Sequence, residues 1–105
     1  MVTRQYNPPH PGEILWELDM RPSGLTIKEV ADRLGVDRKT VSRIVNGHTG
    51  ISPEMAILLG RAFNTSPELW INMQRNYDLW HAGRRIKKKI SNIKPFFIEN
   101  TVHSI

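Results

Sequence analysis

The chain has 105 residues, the length of one small domain, and its 39% hydrophobic and 24% charged content is that of a folded globular protein rather than a disordered one. The absence of cysteine excludes disulfides, thiolate metal sites, iron–sulfur clusters and a thiol nucleophile. The net charge of +5 points to a polyanionic partner until it is located: Met1–Ala82 carries Lys/Arg and Asp/Glu in equal number, so the whole excess falls on Gly83–Ile105, where Arg84, Arg85, Lys87, Lys88, Lys89 and Lys94 face only Glu99.

In chain order, an N-terminal arm over 1–9 leads into a helix near Pro11–Met20, entered through His10-Pro11-Gly12-Glu13, with Ile14, Leu15 and Leu18 as its apolar residues. Thr26 and Glu29 form a capping-box pair. Behind them Ile27, Val30, Ala31 and Leu34 recur at helical spacing, and Gly35 supplies a left-handed stop. Asp37 is placed to cap the next helix, which carries Val41, Ile44 and Val45 on one face and ends at Asn46-Gly47. Ser52-Pro53-Glu54 and Ser66-Pro67-Glu68 repeat one start signal: serine at the cap, proline where no amide donor is needed, and an acid in the positive first turn. They open helices near Pro53–Phe63 and Pro67–Ala82. The sum is an all-α, five-helix fold over 10–82, followed by a basic tail over 83–105. The stretch Ile90–Ile105 fits a frayed end, a short strand or a docking segment, and its Phe96-Phe97 pair suggests that part of it packs.

The central pair of helices, joined by Gly35-Val36-Asp37, has the framework of a helix-turn-helix. Ala31 is small where the helices touch, Gly35 sits in the turn, and Val41 and Ile44 anchor the second helix. In such a motif the second helix enters the major groove and its first residues face base edges. That surface holds Arg38, Lys39, Ser42 and Arg43, of which Arg and Lys can reach guanine O6 and N7. Thr26 and Lys28 at the start of the preceding helix, with Thr40, Asn46 and His48, are the expected phosphate contacts. A solvated basic face is the bland alternative; the adjoining Ala-Gly-Val framework favours DNA.

The stretches HPGEIL (10–15), LTIKEVADRLGVDRKTVSRIVNGHTGIS (25–52), PEMAILLGRAF (53–63) and TSPELWINMQRNYDLW (65–80) resemble the HigA-type antitoxins. This plasmid-maintenance antidote, or VapI-like, family lies within the Xre/Cro phage-repressor-like helix-turn-helix class. The helix-turn-helix part is common to many repressors, whereas the HPGE entry and the SPELW…YDLW ending are more specific. The resemblance implies a phage-repressor-like five-helix domain, a homodimer on a palindromic operator, autorepression, and neutralisation of a HigB-like toxin akin to the RelE-like mRNA endonucleases. The chain itself then catalyses nothing. A stand-alone Xre-type repressor without a toxin, and a helical adaptor that binds only protein, are the competing functions. The lysine-rich tail departs from the family pattern.

Trp70, Met73, Tyr77 and Trp80 fall at spacings of three, four and three on the last helix. Such a stripe serves either the chain's own core or a second subunit. Because Leu69, Ile71 and Leu79 add further apolar surface, it is expected to contribute to a dimer interface. His10, His48, His81 and His103 are scattered and make no His-Glu-x-x-His pattern, so neither a metal nor any other cofactor is expected. The acid pairs Glu13/Glu17 and Glu29/Asp32 lie among bases or on an exposed face, and with no nucleophile or glycine-rich phosphate loop nothing marks an enzyme. The tail's cations fit DNA phosphate, an acidic patch on a partner, or plain solvation. The longest unbroken apolar run, Met55–Leu59, is far below the ~20 residues that span a bilayer. The first ten residues lack the apolar segment of a secretory signal. The expectation is therefore a cytoplasmic protein, at the nucleoid when on its operator, with no membrane partner.

Overall fold

The computed structural model describes residues 6–97. All of its regular structure there is helical: α1 (Pro11–Ile14), continued without a break by a π-helical segment (Leu15–Met20), then α2 (Ile27–Leu34), α3 (Arg38–Val45), α4 (Pro53–Phe63), α5 (Pro67–Arg85) and α6 (Lys87–Ser91). His103 and the last residues of the tail lie outside the described residues.

The capping chemistry holds the elements where the sequence places them. Thr26 Oγ1 accepts the Glu29 amide at 3.1 Å while a Glu29 carboxylate oxygen accepts the Thr26 amide at 2.8 Å, closing the capping box of α2. Ser52 and Ser66 each accept the amide three residues on, Met55 and Leu69, at 3.1 Å. Gly35 takes φ +74°, and Val36 N–H reaches back to the Ala31 carbonyl at 3.0 Å, ending α2 in a left-handed turn. Asp37 does stand at the cap position of α3, but its side chain makes no capping bond. Its backbone carbonyl accepts the Thr40 amide at 3.0 Å instead, and the carboxylate stays in water.

One core joins the helices: Leu15 and Met20, Val30, Ala31 and Leu34, Val41 and Ile44, Ile51, Met55, Ala56 and Leu59, and Trp70. The first helix differs from expectation. In an α-helix, Leu15 and Met20 would lie about 140° apart around the axis. Widening the turn to five-residue bonding, as in Arg21 N–H to Trp16 O at 2.8 Å, brings both into the core. The same register carries Leu18, another of the helix's apolar residues, out to 67% exposure.

Two further expectations are corrected. Helix α5 does not stop at Ala82 but runs through Gly83 to Arg85. Trp80 faces the Arg84 guanidinium at 4.8 Å, and the two arginines lie at the negative helix end, both of which favour extension. Phe96 and Phe97 do not pack on the body; they are 98% and 86% exposed.

Candidate nucleic-acid interface

Helix α3 is short and strictly two-sided. Val41 and Ile44 are buried at 1% and 2% exposure and fix its inner face. Lys39, Ser42, Arg43 and Asn46, spaced three, one and three apart, form the opposite stripe, with Arg38 at its leading edge. Arg38, Lys39 and Arg43 are exposed, and among the described residues none of them has a hydrogen bond or ion pair. Three cations thus project from this helix with no hydrogen-bonding or ion-pair partner among the described residues.

Ser42 and Asn46 behave differently. The Asn46 amide donates to the Ser42 carbonyl at 2.8 Å and to Ser42 Oγ at 3.3 Å, so both side chains are tied to the end of α3 and only their remaining capacity faces outward. Thr40 lies half-buried at the flank of the helix, away from the stripe, and His48 is exposed just beyond it. On α2, the Thr26 hydroxyl accepts within the capping box and keeps its own hydrogen to donate. Lys28 Nζ is 2.8 Å from an Asp32 carboxylate oxygen. That pair is solvent-exposed on both sides, and such pairs contribute about 0–1 kcal/mol, which leaves the ammonium free to exchange partners.

The way α3 is held is not evident from sequence. Gly12 in α1 packs so tightly against the Ile44 carbonyl that a Cβ there would collide with it. His10 Nδ1 accepts the Gly12 amide at 2.9 Å and caps α1. The Gln74 side chain accepts the Ile51 amide at 2.8 Å, pinning the loop after α3 to α5. Only the HPGE spacing hints at this joint, and by itself it reads as an ordinary helix entry.

The α5 stripe divides. Trp70 is 1% exposed and donates from Nε1 to Thr65 Oγ1 at 2.9 Å. It is core, which corrects its place in a dimer contact. Met73 packs partly on that core. Tyr77 meets the His10 ring at 4.8 Å and the His81 ring at 4.3 Å, and Trp80 meets His81 at 4.9 Å. The apolar surface that α5 leaves open is Leu69 and Leu79, at 44% and 47% exposure, with half-buried Trp80 following Leu79. The spacing of the stripe follows the inner face, because three-and-four periodicity marks any buried helix face and does not say what buries it.

Among the described residues no group of three or more His, Asp or Glu is arranged to hold a metal, and no helix is long and apolar enough to cross a membrane.

A two-helix motif with a left-handed glycine turn, set in a small all-helical bundle, defines a phage-repressor-like helix-turn-helix protein. The helix-turn-helix family model matches residues 19–70. An uncharacterised helix-turn-helix transcriptional regulator of Haemophilus influenzae is 41% identical over 90% of this chain and 89% of its own length. Antitoxin HigA-1 of Vibrio cholerae is 38% identical over 83% and 82%. The structure of the Pseudomonas aeruginosa antitoxin HigA with the higBA promoter superposes with a TM-score of 0.82 at 40% identity, covering 86% of this chain and 99% of that one. The chain belongs to the HigA-type antitoxin family of Xre-like helix-turn-helix proteins, a family of DNA-binding antitoxins and regulators rather than enzymes.

Proposed function

We propose that this chain is an antitoxin that binds operator DNA as a homodimer, represses its own operon and neutralises a HigB-like, RelE-like mRNA endonuclease. The observation that carries the DNA part is the outer face of α3, where Arg38, Lys39 and Arg43 stand exposed and unpaired on a helix locked by Val41 and Ile44. Arg43 and Lys39 read base edges, with Arg38 and the Ser42 hydroxyl beside them. Thr26, Lys28, Thr40, Asn46 and His48 hold phosphate. The related antitoxin HigA of P. aeruginosa, whose structure was determined with the higBA promoter, supports the DNA-binding part of this reading.

A two-fold dimer sets two such helices about 34 Å apart, one turn of B-DNA, on the same side of the duplex. Leu69, Leu79 and Trp80 on α5 are the surface we assign to that contact, since burying exposed apolar area drives association. A stand-alone repressor without a toxin is the second reading, favoured by the uncharacterised H. influenzae regulator. Co-expression with the product of the neighbouring gene decides between them. Stable co-purification of a small basic protein, and rescue of growth from it, is the expected result; no complex and no rescue leaves the stand-alone repressor.

A further inference from the structure

His10 sits where three elements meet. Its Nδ1 accepts the Gly12 amide, which requires that nitrogen to be unprotonated. The Thr49 backbone carbonyl, in the loop that leaves α3, faces the ring as a hydrogen-bond acceptor, and Gly47 of the same loop lies against the ring. Tyr77 of α5 meets it edge-on. Two residues further along, Gly12 presses on the Ile44 carbonyl in the last turn of α3. One imidazole therefore touches the start of α1, the exit of α3 and the middle of α5.

We propose that His10 is a positioning residue for α3: its neutral ring caps α1 through the Gly12 amide and so holds Gly12 against the Ile44 carbonyl in the last turn of the recognition helix, and protonation of Nδ1 breaks that cap and loosens the joint. The proposal rests on the reading of α3 as the DNA-reading helix. A proton on Nδ1 replaces an acceptor with a donor facing the Gly12 amide, and it sets a cation at the positive end of a helix. The groups around the ring are Glu13 on α1, Asp78, Tyr77 and His81 on α5, and the Thr49 backbone. Asp78, Thr49 and Glu13 favour the charged ring. Burial opposes it and is the larger effect, holding the pKa below the ordinary 6.5. A histidine whose folded pKa is lowered adds stability above the unfolded value, and that contribution is lost as pH falls below 6.5. The latch is thus closed at neutral pH and opens on acidification.

The amides of Asn46, Gly47 and His48, bonded back into α3 at 2.8–3.0 Å, report the exit of the helix. Their hydrogen-exchange protection is measured in the full chain at about pH 7.5 and about pH 5.5, in wild type, His10→Ala and His10→Asn. Asparagine caps a helix well and does not titrate in this range. Wild type is expected to lose roughly fivefold protection at the lower pH, the cost of a missing cap. His10→Asn is expected to hold its protection, and His10→Ala to lack it at both values. Superimposable pH profiles in wild type and His10→Asn would overturn the proposal, even if His10→Ala fails to fold. Operator affinity is then compared in a His48→Gln background, at a temperature where circular dichroism shows every variant folded. A merely structural role leaves the affinity of folded protein unchanged, whereas a positioning role weakens it at low pH in the His10 protein and not in His10→Asn. Arg43→Ala, run alongside, tests the DNA reading separately: its failure to weaken binding would remove that reading whatever the exchange data show.

Discussion

Gly12 and Asp19 show how much of the first helix is decided by packing that no local pattern announces. A methyl at Gly12 has to displace the Ile44 carbonyl, so Gly12→Ala is expected to destabilise the fold by about 1–3 kcal/mol, the usual cost of overpacking. Thermal melting checks this, and wild-type stability in the variant would mean that α1 does not press on α3. Asp19 is half-buried, and burial raises its pKa above 3.8. A carboxylate with a raised folded pKa favours the fold below the unfolded value and loses that benefit as pH rises through the folded one. Asp19→Asn is therefore expected to melt higher than wild type at neutral pH, with the gap closing in acid. An equal gap at both would contradict the burial assigned to Asp19. Neither effect is readable in the sequence: glycine in HPGE looks like a helix entry, and Asp19 looks like one more surface acid.

Elements that answer to local chemistry are legible in the sequence. The box at Thr26 and Glu29, the Ser-Pro-Glu starts and the Gly35 stop are interactions within a few residues, so they appear there as spacing. The π-helical turn is not legible, because it exists to bring Leu15 and Met20 into one core, and that demand comes from other helices. The α5 stripe is half legible. Its period marks the buried face and cannot tell that Trp70 serves its own subunit, leaving Leu69, Leu79 and Trp80 as the surface proposed for a second one. Leu79→Asp is expected to shift sedimentation toward monomer while leaving helical content intact. A variant that sediments like wild type would move the interface elsewhere. The end of α5, α6 and the following residues carry Arg84, Arg85, Lys87, Lys88, Lys89 and Lys94, all exposed. Replacing these by glutamine in the full chain is expected to make the dependence of log affinity on log salt shallower, by about 0.9 for each phosphate that they neutralise in the wild type. An unchanged slope would leave this segment without a role on DNA.

At the scale of the whole molecule, the net charge of +5 has little to do with the surface proposed to read sequence. The helix-turn-helix stands in a body whose charges balance; on the proposed reading, long-range attraction falls to the end of the chain and discrimination to a few exposed side chains on α3. The most direct test is a fluorescence-anisotropy titration of wild type and Arg43→Ala against the duplex upstream of the chain's own gene and a scrambled duplex of equal length, at one salt concentration. Removing one well-formed arginine–guanine pair costs about 1–3 kcal/mol. Arg43→Ala is therefore predicted to bind the upstream duplex roughly 5- to 150-fold more weakly, with scrambled binding nearly unchanged. Equal affinity of the two proteins for the upstream duplex, or an equal loss on both duplexes, would contradict base reading by Arg43 on α3.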